Sequence, residues 1–365
     1  MNLNEIISGI KPVNNEARNV ARARNDVLIK PIGSLGEIEE LSVKLAGITG
    51  DAFSSYQKKA IIIMCSDNGV YEEGVSLAPQ MITLMQSTMF QKKITGVGVL
   101  SQLSNSDMVV VDIGINSSAQ SEYFLNRKIR KGTGNVAKEP AMTKEEAFEA
   151  INIGFDEVEK LYEKGYNVIG TGEMGIANTT TASLIIMALT GCSVEDATGK
   201  GAGLTEELFE MKKQVIRNAY ALHKPDVEDT IDVLSKLGGF DIAGLVGVFL
   251  GAAYYRLPVV IDGVISASAA LVAYKLCETS RQYMIPSHSS EEPGYGVAMK
   301  ALDMEPYFNL NMRLGEGTGC PFTFFLIDAA ESIIKKMATF DEVQMDSSTL
   351  VDIREDKASD KAFST

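Results

Sequence analysis

Continuous apolar runs that end in small polar residues constrain this chain more than any other feature. Residues 60–65 (AIIIMC) run into Ser66-Asp67-Asn68-Gly69, and the pattern recurs at 106–115 (SDMVVVDIGI), 166–175 (YNVIGTGEMG) and 257–264 (LPVVIDGV). A fainter fifth run, YMIPSHS, surrounds Ile285. A strand with one face in water alternates polar and apolar residues, whereas an unbroken run suits a strand covered on both faces, as in a parallel sheet. Helical patterns at 143–164, 204–222 and 266–277 lie between the runs. The alternation predicts a doubly wound α/β core, mainly parallel, with helices on both faces.

Both ends of the chain depart from this pattern. Residues 1–50 read as helices, best patterned at 37–46, and residues 319–338 read as another. The expected organisation is a small helical subdomain from 1–50 and 320–345, an α/β Rossmann-like catalytic domain over 51–319, and a polar tail over 346–365. The apolar stretch 242–261 is interrupted by glycines, Arg256 and Pro258, so it reads as a buried helix followed by a strand, not as a membrane span.

The 365 residues carry 34 Lys and Arg against 48 Asp and Glu, a net charge of −14 that argues against nucleic-acid partners. A small phosphorylated substrate needs only a local cluster of donors. The two histidines, His223 and His288, and four scattered cysteines make no CxxC or HExxH spacing, so no metal and no cofactor are expected. Unpaired cysteines and a start without a basic, apolar leader point to the cytoplasm.

Chemistry is expected beyond the carboxyl ends of the strands. Gly170-Thr171-Gly172-Glu173-Met174-Gly175 leads into Asn178-Thr179-Thr180-Thr181, which reads either as a capped turn or as a cradle of N–H groups for an anion. Gly199-Lys200-Gly201-Ala202-Gly203 repeats the arrangement before another helix, on which Lys212 or Lys213 can reach back. There is no GxxxxGK[ST] phosphate loop, and Asp262 is followed by Gly263, not by the second acid of the diphosphate-ribose motif. In Arg313-Leu314-Gly315-Glu316-Gly317-Thr318-Gly319 an acid stands between glycines at the start of an apolar helix. Glu316 there is either a turn acid favoured by the helix dipole or a general base in a close-packed loop; spacing does not choose.

Taken together, KPIGSLGEIEEL (30–41), CSDNGVYEEGVS (65–76), KGTGN (131–135), GTGEMGIANTTTA (170–182), GKGAGL (199–204), PVVIDGVISASAAL (258–271), SHSSEEPG (287–294) and RLGEGTGC (313–320) resemble the nicotinate-nucleotide:dimethylbenzimidazole phosphoribosyltransferase family. The resemblance spans roughly residues 20–340 in the family's order. It implies attack of a base nitrogen on C1′ of nicotinate mononucleotide, departure of nicotinate, and formation of an α-ribazole phosphate for cobamide (vitamin B12) biosynthesis. A cationic pyridinium leaves without metal or acid assistance. Carried over by position, Glu316 corresponds to the general base and Glu173 to a second acid near the ribose. Gly175, Asn178, Thr179 and Thr180 would cradle the phosphoribosyl group, with Gly201, Gly203 and Lys212 closing on the phosphate. Asp262, Gly263, Ser290 and Glu292 would line the nicotinate side; Ala78, Met85, Gln86 and Leu314 would border the incoming base.

Three positions depart from the family pattern: Asn68 and Tyr295 stand where the family usually has histidine, and Ala78 where some members have serine. These changes raise the alternative of a phenol- or p-cresol-using enzyme working with a paralogous partner subunit, or of a non-catalytic partner chain. Family resemblance also implies a homodimer, or a heterodimer with a paralogue.

Overall fold

The computed structural model describes residues 1–354 except Gln120, Ala202 and Thr349. Part of the expected polar tail, 355–365, therefore lies outside the described residues, as does one residue of the 199–203 turn. The described chain divides into two compact units: residues 1–11 with 58–323, and residues 12–57 with the segment that begins at Phe324.

The first unit is built on a six-stranded, all-parallel sheet. Its strands are β1 (Lys59–Ser66), β2 (Ser106–Gly114), β3 (Leu125–Asn126), β4 (Val168–Met174), β5 (Val259–Ile261) and β6 (Met284–Pro286), in the order β3-β2-β1-β4-β5-β6. This is the doubly wound arrangement expected from the runs. Every residue of β1 and of β4 is buried, because each pairs on both edges and is covered on both faces. The strand order reverses between β1 and β4, and at such a reversal the loops leaving the two strands diverge to opposite faces and open a crevice.

Two helices on one face pack unusually closely. A Cβ on Gly154 of the helix Lys144–Glu163 would lie 1.9 Å from the Gly244 carbonyl oxygen, and one on Gly247 of the helix Phe240–Tyr254 would lie 1.9 Å from that of Ile151. Only glycine permits this backbone contact. The apolar stretch that begins at Ile242 is thus a buried helix followed by β5, and no helix among the described residues is long and apolar enough to cross a membrane.

The second unit contains the helices Asn15–Asp26 and Glu37–Thr49, with Ala17, Ala21, Val43, Ala46, Ala52 and Ile334 in one apolar cluster. Its division from the rest differs from the boundaries expected above. Helix Leu3–Gly9 groups with the sheet: Gly9 seats the ring of Tyr254, and the Tyr283 hydroxyl donates to the Lys11 carbonyl at 2.6 Å. Within the expected polar tail, the Ile353 N–H donates to the Ile32 carbonyl and Arg354 pairs with Asp26 at 3.0 Å.

Candidate functional site

Where the loops after β1, β4 and β5 meet, the fold leaves a cavity of about 310 Å³. Val75, Leu77, Ile82, Ile176, Val264 and Ile265 give it apolar walls, and Glu173, Asn178, Thr179, Ser290, Glu292, Arg313 and Glu316 give it polar groups. An apolar cleft with few convergent polar groups is the usual form of a small-molecule site.

Glu316 stands at one wall, at a positive φ of 62° between Gly315 and Gly317, whose φ values are also positive. Asp262, at the end of β5, fixes this loop. Its two carboxylate oxygens accept the N–H groups of Gly317 (2.9 Å) and Gly319 (2.7 Å). Gly172 of β4 lets the loop approach, because a Cβ there would lie 2.7 Å from the Glu316 carbonyl oxygen. Glu316 is 7% exposed. Its Oε1 accepts from Gln86 Nε2 at 2.7 Å, while Oε2 is buried with no hydrogen-bond partner. Burial raises its pKa above the usual carboxylate range; the Gln86 bond opposes this and the Asp262 charge adds to it. The result is a carboxylate oriented by one oxygen and able to take a proton on the other.

Glu173 lies behind it at the end of β4. Its Oε1 accepts the Glu316 N–H at 3.4 Å, and its Oε2 accepts from the Asn178 amide. Burial, then the charge of Asp241, push its pKa up to about 8. Neither Glu173 nor Glu316 forms an ion pair among the described residues. Their charged forms are therefore costly within the protein alone and offer a field that favours a bound cation.

On the far side, Lys212 is fully buried and donates to Thr179 Oγ1 (2.9 Å) and to the Gly199 carbonyl (3.0 Å). An ammonium has three donors, and these contacts use two. Burial lowers its pKa to about 8, against the pull of Glu292. Glu292 also accepts the Gly201 N–H at 3.0 Å, which joins the 199–203 turn to the start of the helix Pro293–Ala301. Lys213 faces away, paired with Glu210 and lying over the Phe209 ring. Helical geometry separates adjacent side chains by about 100°, so only one of the two lysines can enter the site.

Of the residues selected from the sequence, Glu173, Gly175, Asn178, Thr179, Gly201, Gly263, Ser290, Glu292, Ala78, Leu314 and Glu316 line the cavity. Gln86 and Lys212 reach lining residues through hydrogen bonds. Four others stand elsewhere. Asp262 is spent on the loop amides and does not line the cavity, so it supports the Glu316 loop from beneath. Thr180 is buried off the wall, Gly203 caps a turn with its N–H on the Lys200 carbonyl, and Met85 is 46% exposed outside the lining. Among the departures from the family pattern, only Ala78 touches the cavity. Asn68 is buried against Asp241 and Thr181, and Tyr295 is buried parallel to His288 at 6.3 Å between ring centroids.

Val75, Ile176, Val264, Ile265 and Arg313 stand inside the motif stretches without having been singled out, while Leu77, Ile82 and Asp241 lie outside every one of them. The one available signal for Asp241 is an acid at the head of an otherwise apolar helix, after Gly238-Gly239.

Comparison with known proteins gives the family. A family described as phosphoribosyltransferase matches residues 10–345. A nicotinate-nucleotide–dimethylbenzimidazole phosphoribosyltransferase from Ruminiclostridium cellulolyticum is 51% identical over 346 residues, covering 95% of this chain and 98% of the relative. One of the same name from Clostridium perfringens (strain 13) is 47% identical over 355 residues, covering 97% and 98%. The crystal structure of CobT from Thermus thermophilus superimposes with a TM-score of 0.87 at 33% identity, covering 91% of this chain and 99% of that one. With the match extending over nearly the whole length at such identity, the chain belongs to the nicotinate-nucleotide–dimethylbenzimidazole phosphoribosyltransferase family.

Proposed function

We propose that the protein transfers the phosphoribosyl group of nicotinate mononucleotide to 5,6-dimethylbenzimidazole or a related base, releasing nicotinate and giving α-ribazole phosphate for cobamide biosynthesis. The observation that carries this reading is the state of Glu316, a residue that lines the cavity: one oxygen is held by Gln86 and the other is buried and unpartnered.

In the reaction, one nitrogen of the base attacks C1′ from the side opposite the pyridinium. The C1′–N bond to nicotinate breaks and its electron pair neutralises the ring. The proton on the other nitrogen of the base passes to Glu316. The apolar wall, with Ala78 and Leu314, receives the flat base. Lys212, Thr179 and the Gly201 turn hold the phosphate, and Glu173 faces the ribose, where cationic character develops. Ser290, Gly263 and Glu292 lie toward the nicotinate.

Incubation of the purified chain with nicotinate mononucleotide and an equimolar mixture of dimethylbenzimidazole and p-cresol tests the reading. Mass spectrometry should find the benzimidazole riboside phosphate with stoichiometric nicotinate. Absence of nicotinate release would overturn the proposed activity, and a predominantly phenolic product would overturn the assignment of the base.

Two further parts of the proposal concern setting and assembly. The enzyme works in the cytoplasm, a reading supported by its free cysteines, and as a homodimer, a reading supported by the exposed Met81, Met85, Ile94, Val99 and Leu103 within one stretch of chain. Light scattering on the eluting protein should give twice the chain mass.

Lys212→Met keeps the packing volume of the stem and removes the charge. It should raise the nucleotide KM by at least tenfold with a smaller change in kcat. An unchanged KM in steady-state kinetics would place Lys212 outside the phosphate site.

A further inference from the structure

Asp241 is completely buried in the first turn of the helix Phe240–Tyr254. It forms no ion pair among the described residues and does not line the cavity. Its Oδ1 accepts the Ile242 N–H at 3.0 Å. Its Oδ2 accepts from Asn178 Nδ2 at 3.0 Å and from Asn68 Nδ2 at 3.5 Å. The same Asn178 nitrogen donates to Glu173 Oε2. One amide group thus bridges two buried carboxyl groups, only one of which reaches the cavity.

The surroundings are shaped to admit this carboxylate. A Cβ on Gly175 would lie 2.6 Å from Asp241 Oδ2, and one on Gly239 would lie 2.4 Å from Oδ1. Asn68 is itself oriented, accepting from Thr181 Oγ1 at 3.3 Å. A buried charge without a cation is costly, and amide donors with a helix N-terminus offset only part of that cost. A merely structural position is served as well by an apolar side chain.

We propose that Asp241 is a positioning residue for the transfer reaction, acting through the Asn178 amide to hold Glu173 against the cavity. Asn178 has two amide hydrogens: Asp241 takes one and thereby aims the other at Glu173. Asn68 and Ile242 keep Asp241 from turning away. The inference rests on the transferase reading, because it needs Glu173 to act on the bound nucleotide.

The test is a double-mutant cycle in single-turnover nicotinate release. Asp241→Asn in the parent should lower the rate at saturating nucleotide by at least tenfold, with the nucleotide KM changed by less than threefold. In a Glu173→Gln background the same substitution should change the rate by less than twofold. Equal losses in both backgrounds, or a loss confined to KM, would overturn the proposal. If Asp241→Asn does not fold, Asn178→Ala cuts the same bridge from its other end and, because Asn178 itself lines the cavity, is judged in the same cycle by the rate at saturating nucleotide alone. Failure of the transferase reading shows up separately, as no nicotinate release by the parent.

Discussion

Glu316→Gln should lower kcat by about two to four orders of magnitude, the scale expected for a lost general base, and leave the nucleotide KM within about twofold. In free energy this is roughly 3–5 kcal/mol of transition-state stabilisation. The substitution is nearly isosteric, and Gln86 can still donate to the remaining carbonyl oxygen as it does to Oε1 at 2.7 Å. What changes is the second position. The buried, unpartnered Oε2 becomes an NH₂ group, which presents a donor to a base that must itself give up a proton. Residual turnover is expected because the pyridinium leaving group and the phosphate contacts remain. Benzimidazoles with a more acidic N–H should lose less in the variant than dimethylbenzimidazole does. The parent should show an acidic limb in its kcat profile above the usual carboxylate range, since burial raises Glu316. The part of that limb due to Glu316 should be absent from the variant, leaving the ionisation of Glu173. Single-turnover assays over pH measure both, and parental rates in Glu316→Gln would remove Glu316 from the chemistry.

The sheet was legible because burial on both faces leaves an unbroken apolar run, and β1, β2 and β4 each coincide with one. β3 was not, being two exposed residues that pair only at Val111 and Asp112. Glu316 and Glu173 stood out through their flanking glycines, which a close-packed loop requires and a surface acid does not. Other assignments depend on contacts that no local pattern encodes. Lys212 and Lys213 are equivalent in sequence, and only burial of one helix face separates them. Asp262 ends a strand as a ligand-binding acid would, yet its oxygens meet amides more than fifty positions away. Asp241 and Asn178 are 63 residues apart in sequence and joined only by the fold. The same long-range packing buried Asn68 and Tyr295 away from the cavity, which left Ala78 as the one of the three departures that lines it.

Glu173→Gln should make the ligand-free protein more stable at pH 8 relative to pH 5, while slowing transfer by at least tenfold. Glu173 is raised from 4.5 to about 8, so the folded state holds a proton that the unfolded state has released between those values. Its contribution to stability is fully present below pH 4.5 and is lost as pH rises through 8. Asp241, raised from 3.8 to about 6, acts in the same direction over the lower part of this window. Lys212, lowered from 10.5 to about 8, acts on stability mainly above pH 8, where unfolding takes up a proton and stability rises with pH. Holding one proton across one pH unit is worth about 1.4 kcal/mol, so Glu173 alone accounts for a cost of roughly 2–5 kcal/mol at pH 8. An amide cannot ionise, so the thermal midpoint of Glu173→Gln should fall less between pH 5 and pH 8 than that of the parent, by several degrees. Calorimetry at matched ionic strength checks this, and parallel midpoint-against-pH curves for the two proteins would show that Glu173 does not titrate in the window. Nicotinate mononucleotide, whose pyridinium is cationic, should narrow the difference by favouring the ionised carboxylate. A site that lowers stability by itself and recovers it on binding a cation is suited to stabilising positive charge at C1′ during transfer.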